Sequence, residues 1–161
     1  MGKKATKTLD NIYYQLRMAA AEENDAFSSR ESAAEILGID RTRLARIELE
    51  TIIPYPEEVV LMAKAYNAPE LLNAFCAKEC PIGKGNVKEI TIDDFDRLAL
   101  KVLGSLKDID ALRMSLIAIS EDGIIEAFEE KQFYSILDSL DKIATNATAL
   151  KVWAQKNIQI K

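Results

Sequence analysis

Apolar residues recur at spacings of three and four along most of the chain, the signature of amphipathic helices, and runs of strict alternation are scarce. Leu9, Ile12, Tyr13, Leu16 and Ala20 mark the first stripe and predict a helix from about Asp10 to Glu23. Ser29 is placed to cap a second helix carrying Ala33, Ala34, Ile36 and Leu37, which stops at Gly38. Asp40 is placed to cap a third, Arg41 to Glu50. That helix turns Leu44 and Ile47 inward and leaves Arg41, Thr42, Ala45 and Arg46 outside. Pro56 sits at the first turn of a fourth helix with Val59, Val60, Met62, Ala63 and Tyr66, and Pro69 starts a fifth with Leu71, Leu72 and Phe75.

The pattern changes after Pro81–Lys88, where Gly83 and Gly85 punctuate the chain and predict a linker. Thr91 and Asp94 resemble a capping box that opens a long helix, about 92 to 119, with a seam of Ile92, Phe95, Ala99, Val102, Leu106 and Ile109. Beyond a turn at Glu121-Asp122-Gly123, a second seam of Phe133, Ile136, Leu140, Ile143, Ala147, Leu150 and Ala154 predicts a partner helix, about 125 to 157. Leu98, Leu103, Leu112, Leu116, Leu137 and Trp153 fall outside the two seams and leave apolar area for another chain. The expected organisation is a basic arm at 1–8, a compact helical domain at 9–80, a linker at 81–90 and a long antiparallel helical hairpin at 91–161.

Composition agrees with an all-α fold: 48% of the 161 residues are hydrophobic, 29% are charged, and there are only six Gly and four Pro. The net charge of −5 argues against broad affinity for nucleic acid and leaves room for a local basic face. Two cysteines close in sequence, with no long apolar segment, point to a cytoplasmic protein outside the membrane. Gly2 and Thr6 fit a myristoylation pattern, but Lys3, Lys4 and Lys7 around them read equally as a basic arm ahead of a DNA-binding domain.

Arg30 to Leu49 meets the steric demands of a helix-turn-helix. Ala34 is small where two helices touch, Gly38 stands at the turn, and Ile39, Leu44 and Ile47 lock the pair. Through SRESAAEILGIDRTRLARIELE and the following IIPYPEEVVLMAKAYNAPELL, residues 9 to 76 resemble the XRE-type, phage-repressor-like regulators. The resemblance implies a five-helix repressor-like domain. It also implies that Arg41, Thr42, Ala45 and Arg46 read base edges and that Arg43 meets bases or phosphate. Arg30 stands where the family has Gln and is a candidate phosphate contact. The resemblance further implies an ion pair between Arg17 and Glu48. Two features depart from the family: the loop Glu22 to Ser28 is longer and acidic, and Glu50 replaces the glycine after the third helix.

The chain has no His, and its carboxylates are expected on solvent faces, so a catalytic constellation is not expected. Gly83-Lys84-Gly85 is no P-loop, because Lys78 stands where Gly is required and no Ser or Thr follows Lys84. Glu121-Asp122-Gly123 lacks the spaced ligands of a calcium loop. Cys76 and Cys80 have the spacing for half of a zinc site shared across a dimer, but read more simply as two semi-buried thiols, so no metal or cofactor is expected. The expected function is a sequence-specific regulator, a repressor that binds a palindromic operator in double-stranded DNA as a homodimer. The alternative is a repressor-like protein-interaction module that does not bind DNA. The C-terminal helices serve in either case to dimerise the chain or to bind a protein partner.

Overall fold

A computed structural model describes residues 9–120 and 123–158, and these form helices, turns and extended links, with no strand among the described residues. The expected basic arm at 1–8 and the turn residues Glu121 and Asp122 lie outside them. The chain divides into two compact units at Glu89 and Ile90.

The first unit contains α1 (Ile12–Glu23), a 3₁₀ turn (Asp25–Phe27), α2 (Arg30–Leu37), α3 (Arg41–Glu48), α4 (Pro56–Ala65) and α5 (Glu70–Lys78). Local chemistry sets these boundaries. Asn11 opens α1, two residues later than the apolar stripe suggests, because its Oδ1 accepts from Tyr14 N at 3.0 Å. Its amide then donates to the Ile47 carbonyl at 3.3 Å, which ties α1 to α3. Helix α3 ends at Glu48, short of the expected Glu50, because Glu50 turns into the left-handed region at φ 58° and Thr51 N bonds back to the Arg46 carbonyl at 2.9 Å. Tyr13, Ala33, Leu37, Leu44, Ile47, Val59, Met62, Tyr66 and Leu71 belong to one continuous core, where Phe27 meets Tyr66 edge to face.

The stretch expected as a linker folds into successive turns. Gly83 lies so close to α5 that a β-carbon there would stand 2.2 Å from the Cys76 carbonyl oxygen. Asn73 of α5 holds the Lys88 carbonyl at 3.0 Å. The glycine marks a close approach of backbone to backbone, which sequence alone reads as freedom.

The second unit contains α6 (Phe95–Leu106), α7 (Ile109–Ile119) and α8 (Glu130–Asn157). The single helix expected over 92 to 119 is therefore two, separated at Lys107 and Asp108. Gly104 and Ser105, both weak helix formers, stand in the last turn of α6, and Lys107 N bonds to the Gly104 carbonyl in a tightened final turn. The expected capping box is absent: the helix opens at Phe95, and the Asp94 side chain makes no cap hydrogen bond. Helix α8 begins at Glu130 rather than near 125, after a turn closed by Glu126 N on the Glu129 carboxylate.

Both α6 and α7 pack on α8. Phe95 meets Trp153, Lys101 receives a hydrogen bond from Asn146 at its carbonyl, and Ser105 and Asp108 line a cleft with Ser139 and Lys142. Positions that rise along α6 fall along α8, so these two helices are antiparallel. The seam is shifted from expectation. Leu98 is 1% exposed, and Trp153 packs on the cluster of Ile90, Leu98, Ala149 and Val152, although apolar spacing leaves both outside the expected seams. Leu140 and Ala147, assigned inside, are exposed.

Candidate nucleic-acid interface

Helix α2, a sharp turn and α3 form the frame. Ser29 Oγ accepts from Ser32 N at 3.1 Å and starts α2. Gly38, at φ 67° and ψ 29°, ends it in the left-handed conformation that a β-carbon penalises. Asp40 Oδ1 then accepts from Arg43 N at 2.9 Å and starts α3. Ala34, Leu44 and Ile47 are buried between the helices, and Ile39 packs half-buried beside them.

With that edge of α3 buried, Arg41, Thr42 and Arg46 are exposed and Ala45 is half-buried. At about 100° per residue these four positions fall within an arc of roughly 140°, so they share one face. An exposed carboxylate, Asp40, adjoins it at the cap, and Glu31 and Glu35 on α2 and Glu57 on α4 are exposed as well.

Beneath this face lies a buried ionic network centred on Glu48, whose side chain is fully enclosed. Arg17 Nε donates to Glu48 Oε1 at 2.6 Å and Arg17 Nη2 to Oε2 at 3.1 Å, a bidentate fork. Arg17 Nη1 also donates to the carbonyl of Phe27 at 2.6 Å and of Ser28 at 3.3 Å. One guanidinium thus joins α1, the 3₁₀ turn and α3. Arg30 adds a second contact, Nε to Glu48 Oε2 at 2.6 Å, from a side chain 31% exposed.

Arg43 is committed as well. Its guanidinium forks onto the Glu58 carboxylate, with Nη2 to Oε2 at 2.8 Å, and lies 4.1 Å over the Tyr55 ring. The Arg43 hydrogen bonds hold the Glu58 carboxyl below the usual carboxylate range against the opposing effect of partial burial, and the Tyr55 backbone N–H, 2.7 Å from Oε2, acts in the same direction. Glu58 and Tyr55 were not among the residues singled out from sequence. The available signal was Pro56 at the first helical position with Glu58 at the third, the pattern of a carboxylate reaching back to the helix start.

A groove of about 470 Å³ opens elsewhere on this unit, lined in part by Asp10, Tyr13, Glu50, Ile52 and Glu79. Tyr13 Oη donates to Glu79 Oε1 at 3.2 Å. Burial holds the Glu79 carboxyl above its ordinary range, opposed by the Tyr13 hydrogen bond and reinforced by the Glu50 charge. Cys76 and Cys80 are free and half-buried. Among the described residues no cluster of three or more His, Cys, Asp or Glu is arranged to hold a metal ion, and no helix is long and apolar enough to cross a membrane.

No protein-family model, curated protein or solved structure matches this chain.

Proposed function

We propose that the chain is a sequence-specific DNA-binding regulator of transcription, a repressor in which α2, the Gly38 turn and α3 act as a helix-turn-helix within a repressor-like five-helix domain. The observation that carries this reading is the division of labour on α3. Leu44, Ile47 and Glu48 fix the helix from below, while Arg41, Thr42 and Arg46 stand free on one face beside the small Ala45. A helix of about 10–12 Å diameter fits the major groove, Arg presents a fork to guanine O6 and N7, and Thr contacts a thymine methyl or a base-edge acceptor. In this reading Arg30 and Arg43 hold the recognition helix, through Glu48 and Glu58, and contribute to DNA only through what their guanidinium edges leave over.

The test is selection from a random duplex pool with the full chain, followed by titration of the recovered site across a series of salt concentrations. The expected result is an enriched motif containing guanine. Its affinity should fall by about 0.9 log unit per neutralised phosphate for each tenfold rise in salt and should drop about 5- to 150-fold, or 1–3 kcal/mol, in each of Arg41→Ala and Arg46→Ala. No enrichment, with no salt-dependent binding to any duplex, would leave the other reading, a protein-interaction module. Exposed Ile53, and Tyr55 beneath the Arg43 guanidinium, favour that second reading, being apolar area that a phosphate backbone does not use.

A further inference from the structure

We propose that the second unit pairs with a second copy of the chain through the outer stripe of α8, in an antiparallel two-fold arrangement centred on Lys142. This inference does not rest on the DNA-binding reading. Ile136, Ile143, Ala149 and Leu150 of α8 lie on the buried side, leaving a separate stripe at Phe133, Leu137, Leu140, Ala144 and Ala147, in which only Phe133 is half-buried. Its spacings of four, three, four and three are those of a helix made to receive another helix.

The stripe has a symmetry that selects the occupant. Setting two copies antiparallel about position 142 places Leu137 opposite Ala147 and Leu140 opposite Ala144. Every large side chain then meets a small one, as knobs meet holes, and the contact is isologous. The same register sets Phe133 against the aliphatic stem of Lys151, whose ammonium then lies one turn from Glu130 of the second copy. A parallel pair would set Glu130 on Glu130 and Ala144 on Ala144, adding repulsion and leaving a gap. Antiparallel alignment also sets opposite helix dipoles side by side.

Helix α6 extends the same face. Turned the same way from its contact edge with α8, it presents Leu106, Ala99 and Leu103, and equal offsets on antiparallel helices fall on one side. Leu103 is 65% exposed, and Leu106, Leu137 and Leu140 are about two-fifths exposed. With the flanking Phe and Ala they leave on the order of 500 Å² of apolar surface, near the upper limit for an ordinary monomer and the larger part of the ~800 Å² that each partner gives to a standard interface.

The experiment uses the full chain. Sedimentation velocity at tens of micromolar should give a dimer, and the double variant Leu137→Glu, Leu140→Glu should weaken association by about 100-fold or more with helical content unchanged. Register is read independently in a Cys76→Ser, Cys80→Ser background. Leu140→Cys alone and Ala144→Cys alone should give little product with a short thiol crosslinker, while their equimolar mixture should give a covalent dimer. A monomeric native chain, a dimer indifferent to the double glutamate variant, or crosslinking of Ala144→Cys with itself would each overturn the proposal. If the glutamate variant fails to fold, the mixed-cysteine result decides.

Discussion

Removing Arg17 should be far more damaging than removing Arg30, although both touch the same carboxylate. Arg17 is 2% exposed, its partner Glu48 is fully enclosed, and the guanidinium satisfies both carboxylate oxygens and two carbonyls besides. In Arg17→Met, Glu48 keeps only the half-exposed Arg30, and the Phe27 and Ser28 carbonyls lose their donor. Breaking a buried pair from one side costs about 3–5 kcal/mol. Arg30 supplies partial neutralisation, so we expect about 3–4 kcal/mol, a fall of roughly 15–25 °C in the midpoint of a domain this size. Arg30→Met leaves the fork intact and should cost about 1 kcal/mol, the scale of a partly exposed ion pair.

Thermal unfolding followed by circular dichroism at 222 nm measures both variants. The fluorescence of Trp153, the only tryptophan and a residue of the second unit, supplies a separate signal for that unit. Replacing both partners, Arg17→Met with Glu48→Met, should recover most of the loss, since no charge is then left enclosed and Arg30 can turn to water. Equal losses in Arg17→Met and Arg30→Met, or no recovery in the double variant, would refute the assignment of Arg17 as the group that neutralises Glu48.

Backbone conformation gives two opposite expectations. Glu50→Gly should raise stability by about 0.5–1 kcal/mol by relieving a left-handed residue at φ 58°, while Gly38→Ala should lower it by about 1–2 kcal/mol, a purely conformational cost because nothing crowds the new methyl. Gly83→Ala should cost about 2 kcal/mol or more in denaturant titration, because a β-carbon 2.2 Å from the Cys76 carbonyl forces the turn off α5. Glu79→Gln tests a raised carboxyl. A folded-state value above the unfolded one means that the folded chain binds the extra proton, so Glu79 contributes stability below its unfolded value and loses it as pH rises through the folded value. The variant should therefore be more stable than the native chain at neutral pH and converge with it in acid, and a constant difference across that range would contradict the shift.

What could be read in advance was local. Ser29, Gly38, Asp40 and Pro56 are legible as boundaries because each acts on backbone groups within four residues, and Leu44 and Ile47 follow from helical period. The partners of the arginines were not legible from spacing. Arg43 and Glu58 are fifteen positions apart and belong to different helices, while the pairing of Arg17 with Glu48 entered only through the family resemblance. In the C-terminal half periodicity is blind to interruption. Apolar spacing continues through Lys107 and Asp108 although the helix does not, and a helix with two apolar flanks offers more than one seam. Burial, not period, assigns Leu98 inward and Leu140 outward.

The distribution of arginines bears on how an acidic chain would recognise DNA under the proposed function. The described residues of the first unit hold five, at positions 17, 30, 41, 43 and 46, and three of them face Glu48 or Glu58. Each committed guanidinium fixes α3 from a different side: Arg17 through the core, Arg30 from the start of α2, Arg43 from the start of α4. Helix α3 is thereby anchored on three sides, and three guanidiniums that would otherwise be open to an anion are engaged by carboxylates. Under the proposed function such a domain should have little non-specific affinity, since that term scales with the phosphates neutralised. Under the proposed function, what remains is discrimination by two arginines and a threonine on a preorganised helix, which would give selectivity without strength. Joining two such domains restores strength without added positive charge, because the second contact becomes intramolecular at an effective concentration that reaches the millimolar range for short connections. The proposed reading role of α3 and the proposed pairing of α8 are therefore mutually consistent. Their separate tests, salt-dependent binding for the first and sedimentation with mixed-cysteine crosslinking for the second, keep the failure of either from being mistaken for the failure of the other.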